Sequence, residues 1–141
     1  MLEIFDSLCI LLAKAEQKHF LYTKKALEEA QLEISPGQLV ALYAPYKKDN
    51  ISISELSKNV FLDNSTLTGL IDRLERVNFV KRVDVPHDRR SYQICLTDKA
   101  REVESKIMQV MRQVENKMLE NCSESEVITL RSVLKRIFTN F

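Results

Sequence analysis

The run from Asn64 to Arg76, NSTLTGLIDRLER, brings short hydroxyls, a glycine and arginines together in a pattern that acquires meaning if it is helical. At about 100° per residue, Leu67, Leu70, Ile71 and Leu74 share one side. The opposite side carries Ser65, Gly69, Asp72, Arg73 and Arg76, with Thr66 and Thr68 on the flanks. These residue types suit the major groove of a duplex. Hydroxyls near a helix start donate to phosphates or base edges, Gly69 lets the backbone approach closely, and Arg73 reaches a guanine or a phosphate. An ordinary solvated helix face is the alternative for the same residues. Asp72 fits a groove poorly, because a carboxylate repels phosphates, and is read instead as an ion-pair partner of Arg76 or Arg82 that holds the following hairpin.

Any contact with a polyanion has to be local. The 141 residues carry 21 basic and 20 acidic side chains, a net charge of +1, so the molecule as a whole is no polycation. Between Asn64 and Arg90 there are six basic against four acidic residues, a small surplus whose placement matters more than its size. With 45% hydrophobic and 29% charged residues the composition is globular, and no apolar run is long enough to span a bilayer. The N-terminal segment carries Glu3 and Asp6 where a signal peptide needs positive charge. Cys9, Cys95 and Cys122 are odd in number and far apart, which points to neither a disulfide framework nor a zinc site, and a reducing cytoplasm fits best. Enzyme chemistry has little support. There are two histidines, no G-x-S-x-G, no P-loop and no dinucleotide-binding glycine motif, so no cofactor and no catalytic residue is expected.

The elements that must position this helix are clearly punctuated. Ser35-Pro36-Gly37-Gln38, Ser52-Ile53-Ser54-Glu55 and Ser123-Glu124-Ser125-Glu126 have the capping-box pattern, and Asp63 and Thr97 offer further N-caps. Pro45 should end or kink the helix that Pro36 opens. Three apolar stripes at helical spacing flank the middle of the chain. The first runs through Phe5, Leu8, Leu12, Ala15, His19, Tyr22 and Ala26, and the second through Ala100, Val103, Ile107, Val110, Val114 and Met118. The third comprises Val127, Leu130, Leu134, Ile137, Phe138 and Phe141. From Phe79 to Thr97 the pattern changes to β-branched and aromatic residues around a polar tip at Pro86-His87-Asp88-Arg89, a β-hairpin. Helix, turn near Phe61-Leu62-Asp63, helix and hairpin make a winged helix-turn-helix, mainly α with a small β-hairpin wing. The terminal helices, residues 1–34 and 98–141, form a dimerisation bundle around the DNA-binding region 35–97, or else simply cover one chain's core.

The segment LDNSTLTGLIDRLERVNFVKRVDVPHDRRSYQICLT resembles the MarR family pattern, a recognition helix S-T-x-T-x-L-x-D-R-L-E followed by a wing with D-x-R, five residues and L-T. Asp88, Arg90, Leu96 and Thr97 match the wing signature, and length and helix order match along essentially the whole chain. The resemblance implies that Arg90 inserts from the wing into the minor groove with Asp88 buttressing it, and that Arg89 contacts the backbone. A turn-stabilising ion pair of Asp88 and Arg90 is the plainer alternative. Asn78 stands where the family usually has glycine, and asparagine is the next best residue for a left-handed helix C-cap.

The resemblance further implies a homodimer that binds a pseudo-palindromic double-stranded operator, mainly as a repressor, and a crevice for a small phenolic or lipophilic effector. Candidates for that crevice are His19, Phe20, Tyr22, Tyr43 and Tyr46, each also readable as ordinary core or interface. Cys9, in SLCILL, resembles the neighbourhood of the peroxide-sensing cysteine of the OhrR branch. Its aliphatic surroundings favour a buried small hydrophobe over a reactive thiol, and Ser35 stands where that branch has a tyrosine. A winged-helix protein-interaction module without DNA binding is the rival class, against which Ser65, Arg73 and Arg90 argue.

Overall fold

All five expected caps start helices. The computed structural model describes residues 6–141, and for Arg89 and Arg90 only the backbone. Phe5 of the first expected stripe therefore lies outside the described residues. Helix α1 spans Leu8–Glu29 and α2 Pro36–Lys47. A short strand β1, Ile51–Ser52, leads into α3, Ile53–Val60, and α4, Asn64–Arg76. Strands β2, Val80–Val85, and β3, Asp88–Leu96, form the wing. Helices α5, Asp98–Glu102, α6, Glu104–Met118, and α7, Glu124–Asn140, complete the chain. Among the described residues no helix is long and apolar enough to cross a membrane.

Ser35 and Ser123 close full capping boxes with Gln38 and Glu126. Ser52 accepts from the Glu55 N–H, Asp63 from that of Thr66 and Thr97 from that of Ala100. Pro45 does not stop α2 at once. It occupies the final turn, where its missing donor costs only one bond, and the Lys48 N–H still reaches the Ala44 carbonyl at 2.8 Å.

The expected continuous helix after Thr97 is instead broken at Val103. At the break the Tyr46 hydroxyl donates to the Ala100 carbonyl at 2.6 Å, competing for the acceptor that an unbroken helix offers to the fourth residue on. Burial pushes the Tyr46 phenol up to about 12, with the Glu104 carboxylate adding to the effect.

The sheet is antiparallel in the order β1-β3-β2. Ile51 pairs with Ile94, which pairs on its other side with Arg82. Strand β1 is too short to be legible as a strand in sequence, and its pairing ties the start of α3 to the wing. The hairpin tip is narrower than expected, with Pro86 and His87 alone between the strands and His87 left-handed at φ 72°.

The core gathers Leu27, Leu42, Leu56, Leu67, Leu74 and Phe79 from five segments, each at most 1% exposed. The stripe on α6 is buried at Ile107, Val110 and Val114. On α1 burial is confined to Thr23, Ala26 and Leu27 near its end, of which only Ala26 belongs to the expected stripe; Leu8 is 82% exposed. Helix α7 buries no residue at all, leaving Leu130, Leu134 and Phe138 exposed, as is Phe141 just after it. Periodicity identified these apolar faces, but the single chain does not cover them.

Candidate nucleic-acid interface

Helix α4 is held by its inner face. Leu67, Leu70, Ile71 and Leu74 are buried, as their spacing required. Its C-terminus is fixed by a Schellman arrangement: the Phe79 N–H donates to the Leu74 carbonyl at 2.9 Å and the Asn78 N–H to that of Glu75 at 3.0 Å. Asn78 takes the left-handed conformation, φ 63°, that this stop requires, so the asparagine preserves the geometry a glycine would give.

The outer face presents Ser65, Thr66, Thr68, Arg73 and Arg76, all exposed, around a half-buried Gly69. A Cβ added at Gly69 meets nothing within 4 Å, so the glycine leaves open surface rather than relieving an internal clash. Among the described residues neither Arg73 nor Arg76 forms an ion pair, and both guanidinium groups stand in solvent.

The hydroxyls are more constrained than their exposure implies. Ser65 Oγ donates to Asp63 Oδ1 at 2.7 Å and Thr66 Oγ1 to Asp63 Oδ2 at 2.9 Å. Thr68 Oγ1 donates to the Asn64 carbonyl at 2.7 Å. Asp63 also accepts the Thr66 N–H at 2.7 Å, and these bonds, the backbone one foremost, hold its carboxyl down at about 2. A hydroxyl has one proton, and here each proton is committed, so Ser65, Thr66 and Thr68 face solvent chiefly as acceptors. They match an amino group on a base edge better than a phosphate oxygen.

Asp72 pairs with Arg82 of β2 and not with Arg76, the two partners being 2.5 Å apart. Glu75, whose role the sequence did not disclose, takes the other guanidinium nitrogen at 2.6 Å and the Arg82 backbone N–H at 3.2 Å. The Arg82 guanidinium also lies 5.2 Å from the centroid of the Tyr92 ring. These contacts raise its already high pKa, against the opposing effect of partial burial.

Asp88 opens β3 at the wing tip and accepts the Ser91 hydroxyl at 2.8 Å. The side chains of Arg89 and Arg90 lie outside the described residues; their backbone belongs to β3 at the tip.

The five effector candidates do not converge. His19 and Tyr22 line a cleft of about 580 Å³ between α1 and α6, together with Lys18, Lys25, Lys117 and Met118. Tyr43 lines a different hollow between α2 and α3, beside Lys47, Lys48 and Lys58, and burial raises its phenol. Tyr46 is spent on the Ala100 carbonyl, and Phe20 is exposed on α1 away from both. Cys9, preferred as a buried hydrophobe, is exposed near the start of α1.

Comparison with known proteins matches this geometry. The MarR family pattern covers residues 34–92, from the approach to α2 into β3. The HTH-type transcriptional regulator SarZ of Staphylococcus aureus is 32% identical over 105 residues, 72% of this chain and 70% of SarZ. The HTH-type transcriptional regulator PecS of Dickeya dadantii is 35% identical over 94 residues, 67% of this chain but just 55% of PecS, so the match spans about half of that relative. Among solved structures, a mutant of MarR from E. coli complexed with operator DNA superposes with a TM-score of 0.84 at 25% identity, covering 97% of each chain. With a helix-turn-helix, a wing and relatives of this kind, the chain belongs to the MarR family.

Proposed function

We propose that the protein is a homodimeric transcription regulator that reads double-stranded DNA, with α4 in the major groove and the β2–β3 wing on the adjacent minor groove. The observation that carries this reading is the division of α4. One face is locked into the core by four buried aliphatic residues, and the other offers Ser65, Thr66, Thr68, Gly69, Arg73 and Arg76 to an incoming surface. The likeness to a MarR mutant held on operator DNA supports the same use of the fold.

In this reading Arg73 reads a base edge, Arg76 and Arg89 contact phosphates, and Arg90, buttressed by Asp88, enters the minor groove. The exposed apolar residues of α1 and α7, among them Leu8, Leu12, Leu130 and Leu134, are what a second copy covers. The two α4 helices of such a dimer reach half-sites about one helical turn apart, and hence a pseudo-palindromic operator. The cleft at His19 and Tyr22, apolar on its floor and ringed by lysines, suits a phenolic or lipophilic effector whose binding shifts the helix spacing and relieves repression. No group in the chain is assigned a catalytic step, and the protein acts in the cytoplasm.

Titrating a bound duplex with Arg73→Ala and Arg90→Ala tests the assignment. Arg73→Ala weakens binding by about 1–3 kcal/mol at the base it reads, and Arg90→Ala flattens the salt dependence by roughly one unit. Wild-type affinity and salt slope in both variants would leave the protein-interaction module as the better reading.

A further inference from the structure

Phe61 ends α3 in the left-handed region, φ 54° and ψ 39°, where a bulky side chain is seldom found unless its surroundings hold it there. The core does not supply that hold, since Phe61 is 70% exposed. Its ring instead meets Phe138, with centroids 4.6 Å apart and planes at 68°, edge to face. Phe138 lies in the last turns of α7, the helix that buries nothing in its own chain. On the other side, Phe61 is two residues from Asp63, the N-cap of α4, and the turn between them is closed by Ser57 Oγ donating to the Leu62 carbonyl at 3.0 Å.

We infer that Phe138 is a positioning residue for DNA reading, acting through Phe61: the ring contact ties the C-terminal helix to the turn that sets where α4 begins. The inference rests on α4 being the DNA-reading element. Among the described residues the one ion pair between α7 and α6 is the exposed Arg131–Glu115 pair at 3.8 Å, a weak contact that involves neither α4 nor the turn. Displacement of α7, whose remaining apolar face awaits a second copy, is therefore transmitted to α4 through these two rings.

The test uses the full chain and the duplex that wild-type protein selects from a random pool. Affinity, its salt dependence and self-association by sedimentation are measured for Phe138→Ala, Phe138→Leu, Phe138→Tyr, Phe61→Ala and the double alanine variant. Phe138→Ala is expected to weaken DNA binding roughly three- to tenfold with an unchanged salt slope, because no phosphate contact is lost. Phe138→Leu, which keeps apolar bulk for self-association, shows most of that loss, and Phe138→Tyr stays within about twofold of wild type. In the Phe61→Ala background, Phe138→Ala costs nothing further. The inference is overturned by equal losses in both backgrounds, by a loss that tracks weakened self-association, or by no loss. Failure of the wild type to select any duplex removes the DNA reading itself and this inference with it, an outcome distinct from a binding wild type indifferent to Phe138.

Discussion

The guanidinium of Arg82, on the first wing strand, donates to Asp72 of α4 at 2.5 Å. Together with the Glu75 contact one turn along, this makes a single cation the joint between α4 and the wing. It also pairs two carboxylates carried by the same helix as the exposed Arg73 and Arg76. The half-buried Arg82 thus ties together the helix and the wing, the two elements proposed to meet adjacent grooves.

Arg82→Ala is expected to cost about 1 kcal/mol of stability, since its carboxylate partners are partly exposed. DNA affinity should fall further than stability does, because the wing loses its tie to α4 and two acidic groups lose their counter-charge. Arg82→Lys rescues only in part, because an ammonium cannot hold two carboxylates in one planar fork. Thermal unfolding and DNA titration on the same samples decide it. A lowered Tm with unchanged affinity would mean that the joint serves the fold alone.

Asn78 tests the stop of α4. Asn78→Gly should leave stability unchanged or slightly higher, and Asn78→Val should lower it by about 1–2 kcal/mol, because a β-branched residue resists φ near 63°. Denaturant midpoints check this, and equal stability of the two variants would contradict the left-handed cap.

The Asp63 cap carries a pH signature. Its carboxyl titrates near 2 in the folded chain against an ordinary 3.8, so the ionised form is the one the fold stabilises. The contribution is fully present above the ordinary value and is lost as pH falls through the folded one. The start of α4 should be indifferent to pH above about 5 and fray between about 4 and 2. NMR titration of the Asp63 carboxyl carbon and of the Thr66 amide reads this directly, and a Thr66 amide that moves near the ordinary carboxylate value would refute the capping geometry.

Much of this was legible in the residues because local rules and tertiary demands agree there. Caps at Ser35, Ser52, Asp63, Thr97 and Ser123, the inner face of α4 and the turn at Asn78 each follow from one residue type placed where its chemistry is needed. What was not legible depends on contacts distant in sequence. The break at Val103 reflects a hydroxyl 54 residues from the carbonyl it takes. Glu75 joins Arg82 only once β2 folds beside α4, and β1 exists only as a partner for Ile94 and Gln93. The separation of Tyr43 and Tyr46 from His19 and Tyr22 likewise follows from which helices pack together, which periodicity does not say.

The exposed apolar face of α7 yields a prediction about assembly. Leu134→Glu, which places a charge on that face without touching the core, should shift the protein from dimer toward monomer at micromolar concentration and weaken DNA binding with it. Sedimentation velocity is the readout. A wild-type protein that runs as a monomer at that concentration would remove the dimer from the scheme.

The central claim, that α4 and the wing read a symmetric duplex, is tested most directly by in vitro selection of DNA from a random pool, wild type against Arg73→Ala. The expected result is an enriched inverted repeat with half-site centres about 10 base pairs apart, and in Arg73→Ala a loss of preference at one symmetric position in each half-site. No enrichment by the wild type, or an identical enriched site with Arg73→Ala, would contradict it.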